Sequence, residues 1–286
     1  MYHEYTQEEL RAYCRSCIES LEIWARRLVH EKMVEKYGEN YIEKTLPDGN
    51  FLIKKEIRDH ISTMQAKNPA RFSRPVDALF IEQIIYFLCK KEWYDSLFKE
   101  ALDHAYPQGC DEAREFLNRL VLIRNPLSHS NPISIRQVEQ AICYSHDFID
   151  GLKEYYKSKG QEQVWNVPRI IRVIDSFGNV FENQRNGRYG GSNFNVTQPL
   201  RIGETYSIQV IPDSSFDESE YNLKWEIAWK HRKEFDNAKK ITYTFRLEDV
   251  SESLMIKCII TSNKVWHKYR TDDGEVCIYV TVLPPV

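Results

Sequence analysis

The spacing of apolar residues changes once along this chain of 286 residues, and that change fixes what it can fold into. Up to about residue 158, apolar side chains recur every three or four positions, the period of a helix with one buried face. Leu10, Cys14, Cys17, Ile18, Leu21, Trp24 and Leu28, with Tyr13 and Val29 beside them, set a first helix over residues 7–37. A second is expected from an Asn50 cap to about residue 66, with Phe51, Ile53, Ile57 and Ile61 inward. An almost wholly apolar run, Val76–Lys91, predicts a central buried helix, and residues 91–105 a further one after a bend. Residues 111–124 and 135–157 complete the set, the last with Ile135, Val138, Ile142, Phe148, Ile149 and Leu152 as its stripe. From Ile170 onward the period is two: Tyr206/Ile208/Val210, Leu223/Trp225/Ile227, Ile241/Tyr243/Phe245, Leu254/Ile256/Cys258/Ile260 and Val276/Ile278/Val280 alternate with polar residues. Asp272-Asp273-Gly274 reads as a hairpin turn. The expected organisation is an all-α domain over 1–158, a polar link over 159–166 and an antiparallel β-sandwich over 167–286.

Composition narrows the function. A net charge of −3 and a pI near 6.3 exclude a broad basic footprint, so contact with nucleic acid has to come from a local cluster. No stretch approaches 18 uncharged apolar residues, so no membrane span is expected. The acidic, polar start, Met1 to Glu9, does not read as a secretory leader, so a cytoplasmic location is expected. The seven cysteines are scattered, and Cys14-x-x-Cys17 lies inside a helical pattern without a second pair or nearby His, so it reads as buried structural thiols in a reducing compartment. No carboxylate or His/Cys cluster has metal-ligand spacing, and no metal or cofactor is expected.

The chemistry concentrates in residues 119–137. Here a helical run carries Arg124 and Asn125, meets Pro126, and reaches His129 before a second break at Asn131-Pro132. Asn125 before Pro126 reads as an N-cap and first helical position, starting a short turn that ends at His129. Ser134 and Gln137 then form a capping box for the last helix. A guanidinium binds phosphate oxygens as a planar fork, and an imidazole near neutrality can take a proton from a ribose 2′-hydroxyl or give one to a leaving oxygen.

Arg124-Asn125-Pro126-Leu127-Ser128-His129, placed just before the last long helix of an all-helical domain, resembles the Arg-polar-x-x-x-His signature of the HEPN superfamily. The resemblance covers residues 5–158 and implies a HEPN-like helical bundle acting as a metal-independent endoribonuclease. It implies a homodimer whose two motifs meet in a cleft and whose RNA product ends in a 2′,3′-cyclic phosphate. The polar residue after the Arg, here Asn125, is the form associated with catalytically competent members. His129 would move protons and Arg124 stabilise charge, while Asn125 orients the site or simply caps the turn. Many family members keep the fold and only bind partners or RNA, so a non-catalytic interaction module is the alternative. The β half is similar in layout to an immunoglobulin-like sandwich, with Trp225 as the buried inter-sheet residue and Cys258 late in the order, but without the usual bridge. It is expected to recognise a protein partner or trigger.

Other features carry two readings each. Arg71 and Arg74, in the Pro-rich link 67–75, are either phosphate contacts or an ordinary solvated loop. Ser128, beside the His, reads as a turn residue and a further candidate contact, and Ser130 as a turn residue. Residues 184–193, rich in Arg, Tyr, Gly and Asn, suit either a grip on single-stranded RNA or an Asn-Gly hairpin. His146-Asp147 cannot act as a dyad, because neighbours on a helix do not face each other.

Overall fold

The structure, a computed structural model, describes residues 6–69, 71–72, 74–128, 131–183, 191–227 and 233–285. The chain divides into two compact units, Met1–Gly160 and Gln161–Val286, the first helical and the second built of sheets.

In the helical unit, α1 spans Gln7–Tyr37 and opens with a capping box: the Thr6 hydroxyl accepts from Glu9 N–H and the Glu9 carboxylate from Thr6 N–H. Its buried face, Cys14, Cys17, Leu21, Trp24, Leu28 and Met33 among others, follows the expected stripe, but Tyr13 is 47% exposed. The second helix, α2, begins at Lys55 and ends at Lys67, and Asn50 does not cap it. Residues 45–51 instead form a small hairpin, with Thr45 bridged to Phe51, Gly49 in the left-handed region and Asn50 N–H bonded to Asp48. Pro47-Asp48-Gly49-Asn50 is turn chemistry, and it outcompetes a cap that had no periodic run beginning beside it. Phe51 therefore lies outside the core, under the Arg58 guanidinium.

The run Val76–Lys91 is two elements, not one. A 3₁₀ turn, Pro75–Ala78, is fixed by Arg74 clamping Asp77, and α3, Ile81–Cys89, starts afresh after Phe80. Then α4 (Lys91–Trp93) passes through one π turn, Tyr94–Phe98, into α5 (Lys99–Leu102). The long α6, Cys110–Ser128, and α7, Ile135–Ser158, close the unit, α7 behind its Ser134/Gln137 capping box. Helix α7 packs along α1 and α6 against α3. Ile135 stands outside the α7 stripe, 38% exposed.

The link between the units is not featureless. Glu162–Trp165 forms a short helix, α8, and the Asn166 carbonyl and the Glu162 carboxylate are held by Lys264 within the second unit. That unit has ten described strands: β1 (Ile170–Asp175), β2 (Val180–Glu182), β3 (Gly191–Asn195), β4 (Leu200–Arg201), β5 (Thr205–Pro212), β6 (Tyr221–Ile227), β7 (Lys233–Asp236), β8 (Lys240–Thr244), β9 (Ser251–Ser262) and β10 (Gly274–Leu283). One sheet runs β2-β1-β5-β8, and the other β3-β10-β9-β6-β7 with β4 also on β10. The expected pure antiparallel pairing is corrected at one edge, where β3 and β4 run parallel to β10. Alternate residues of β5, β6, β9 and β10 are buried and make the core. Trp225 is fully buried opposite Cys258 in the β6/β9 register, its indole N–H donating to the Ala238 carbonyl at 2.6 Å. Asp272-Asp273-Gly274 makes no tight turn. The β9–β10 connection is a long loop pinned from inside by Asp273, whose carboxylate accepts from the Ser262 and Lys268 N–H groups. A buried carboxylate with that many donors organises a loop that no two-residue turn would need.

Candidate functional site

The end of α6 carries the Arg124 corner. The expected N-cap at Asn125 is not formed, because α6 continues through Asn125 and Pro126 to Ser128. Pro126 removes one helical hydrogen bond, and a proline in a helix interior costs about 3 kcal/mol or more. Ile123 and Leu127 lie on the same buried face as Leu117 and Leu120. Burying Leu127 is worth roughly 1.5–3 kcal/mol, which offsets much of the cost of carrying the helix past the proline. Its end is tied down twice: an Arg15 Nη2 donates to the Leu127 carbonyl at 3.1 Å, and Asn131 N–H to the Pro126 carbonyl at 3.0 Å. Asn125 is exposed, free of a capping role.

Arg124 is held from α1 and from the start of α3. Its Nε stands 4.0 Å from the Glu22 carboxylate, and its guanidinium carbon 6.0 Å from the Phe80 ring centre. About a third of its side chain remains exposed (32%). Glu22 is buried and shared, with its other oxygen 2.6 Å from Arg26 Nη2. Arg26 in turn donates to the Leu79 carbonyl, which fixes the chain next to Phe80. One carboxylate facing two guanidiniums leaves net positive charge, and Arg15, Glu22 and Arg26, seven and four apart, lie along one side of α1. Cations already oriented by a buried partner need little reorganisation to receive a phosphate. His60 also lies against Phe80, its ring centre 4.2 Å away and its Nε2–H donating to the Ala78 carbonyl at 2.9 Å.

His129 and Ser130 lie outside the described residues, and of Ser128 only the backbone, the last residue of α6, is described. Arg71 is exposed and lies over the Phe72 ring, 5.3 Å away. Arg74 is engaged within its own turn, with both ends of its guanidinium on the Asp77 carboxylate at 3.1 and 2.7 Å. The structure thus joins Arg124 to Glu22, Arg26, Phe80 and His60, while Arg74 is turned to Asp77. Residues 184–190 of the Arg/Tyr/Gly stretch lie outside the described residues. The partners of Arg124 escaped sequence reading because they sit more than 40 positions away; the one local signal was an acid, Glu22, within the apolar stripe of α1.

Among the described residues no group of three or more His, Cys, Asp or Glu side chains is placed to hold a metal ion, and no helix is long and apolar enough to cross a membrane. A separate open cleft between α1 and the π turn is lined by Lys32, Lys36, Lys99, Asp95, Glu100 and Asp103. Its charges neutralise one another, as in the Lys32–Glu35 and Lys159–Glu100 pairs. All seven cysteines are free thiols, and burial pushes Cys14 up to about 11 and Cys17 up to about 12, as inert structural thiols require. The chain matches no family model, and no curated protein is similar to it.

Proposed function

We propose that the helical unit is a HEPN-type endoribonuclease that cleaves RNA without a metal, as a homodimer, leaving a 2′,3′-cyclic phosphate and a free 5′-hydroxyl. The observation that carries this reading is Arg124, partly exposed at the end of α6 and held in place by a buried carboxylate rather than left on a solvated face. Arg124 stabilises the extra negative charge on the phosphorus oxygens as the 2′-oxygen attacks. His129 moves the protons, from the 2′-hydroxyl and to the leaving 5′-oxygen. Exposed Asn125 is left to hydrogen-bond phosphate or orient the site.

The second unit is read as an immunoglobulin-like sandwich that recognises a protein partner or trigger. Its strand order supports this: β1, β5 and β8 lie in one sheet, β10, β9, β6 and β7 in the other, around the buried Trp225. The competing reading, a non-catalytic interaction module, draws support from the same Glu22–Arg124 contact taken as a structural corner.

Mixed RNA incubated with the protein and a chelator separates the two. The wild type is expected to cleave, and Arg124→Ala and His129→Ala each to lose at least about 100-fold in rate, the scale of one positioned acid–base or charge-stabilising group. Cleavage by both variants at the wild-type rate sinks the ribonuclease.

A further inference from the structure

Phe80 is one of few large apolar side chains left exposed in the helical unit, at 43%. A lone exposed aromatic is ordinary. This one differs in being immobilised from several directions. Its N–H donates to the Gln83 side chain at 2.9 Å, the Leu79 carbonyl just before it is gripped by Arg26, and His60 lies tilted against its ring. His60 is itself fixed by its bond to Ala78. The structure therefore orders an exposed ring, at the cost of leaving it wet, beside the guanidinium of the candidate site.

From this juxtaposition we infer that Phe80 is a stacking platform for one unpaired nucleobase of the RNA whose phosphate Arg124 receives. The inference rests on the ribonuclease reading for the identity of the polymer. A base on the Phe80 face and its phosphate at Arg124 need a separation like the 6.0 Å between ring centre and guanidinium carbon, the span of a single nucleotide. Aromatic faces accept any base, because every base has a π-face, and Arg124 supplies the charge. A base inside a duplex is already stacked and cannot lie on a protein ring, so the substrate class is single-stranded RNA, a loop or an end.

The probe is a fluorescent 2′-O-methyl decamer, which lacks the attacking hydroxyl and reports binding without cleavage, read by anisotropy both single-stranded and annealed to its complement. The wild type is expected to bind the single strand at least tenfold more tightly than the duplex. Phe80→Ala is expected to weaken single-strand binding roughly 5- to 150-fold, the worth of one base–aromatic stack. Phe80→Tyr should bind within about twofold of wild type, and Phe80→Leu, which keeps apolar volume but no π-face, should lose as Phe80→Ala does. Circular dichroism confirms that each variant is folded. Wild-type binding by Phe80→Ala or by Phe80→Leu, or equal affinity of the wild type for duplex and single strand, overturns the platform. A wild type that cleaves RNA while Phe80→Ala binds normally leaves the nuclease standing and removes only Phe80. A wild type that binds through Phe80 but never cleaves does the reverse.

Discussion

His30 shows what one residue's surroundings do to its chemistry. Burial lowers its pKa and the Arg74 guanidinium lowers it further, against the opposing pull of Glu39 and Asp77. Its ring lies 5.9 Å from buried Tyr41, and its Nδ1 is buried without a hydrogen-bond partner. The folded state thus holds a neutral imidazole where the unfolded chain takes a proton near pH 6.5. A depressed folded pKa contributes stability that is present above the unfolded value and lost as pH falls below it toward the folded one. The thermal midpoint of the wild type is expected to fall as pH drops from about 7 to 5. His30→Phe, which carries no proton, should show a shallower fall over the same range. Parallel curves for the two proteins would show that His30 does not carry this acid sensitivity.

At the scale of elements, one close contact is at Gly151 on α7, where the turn after α5 packs against it. A Cβ there would stand 2.8 Å from the Ala105 Cβ and 3.0 Å from its backbone nitrogen. Alanine would gain about 1 kcal/mol of helix propensity, but the atoms it meets belong to backbone and a methyl group, which cannot swing away. Overpacking typically costs about 1–3 kcal/mol, so Gly151→Ala is expected to destabilise the unit by up to roughly 2 kcal/mol, read from urea unfolding. A raised midpoint contradicts that packing. No pattern in the sequence announces such a contact, and the same division runs through the fold. Helix α1 and the α7 capping box were legible because their signals are local: a stripe repeated over many turns, and Ser134 with Gln137. The helices near 55–67 and 91–102 were legible too, but the start of the first and the break at 75–80 were not, because short apolar runs do not distinguish one helix from a 3₁₀ turn followed by another. Edge strands β3 and β7 were missed because Gly191–Asn195 and Lys233–Asp236 are mostly polar and take their conformation from the neighbour they pair with. In the site, Arg124 and Asn125 were visible as a motif. Glu22, Phe80 and His60 were not, since only folding brings them to it.

For the molecule as a whole, the balance of charge sets how RNA can be held. With a net charge of −3, the chain has no general attraction for a polyanion, and binding depends on the few cations gathered at one place. Arg15, Arg26 and Arg124 are the guanidiniums that the structure arranges around the end of α6. If each neutralises one phosphate of a single strand, the logarithm of affinity falls with the logarithm of salt concentration at a slope of roughly −0.7 per contact, or about −2 for one site. A dimer that brings two copies of the motif to the same strand doubles the contacts and gives a slope of about −4. Light scattering should then find a molar mass of twice 34.0 kDa in the species that cleaves, and cleavage per chain should decline on dilution as dimers part. The two measurements have to agree, because the steeper slope arises only where both copies touch one strand. A monomer that cleaves at full rate with a slope near −2 would place the whole chemistry within one chain, with its own Arg124 and His129 sufficient and no second copy of the motif needed.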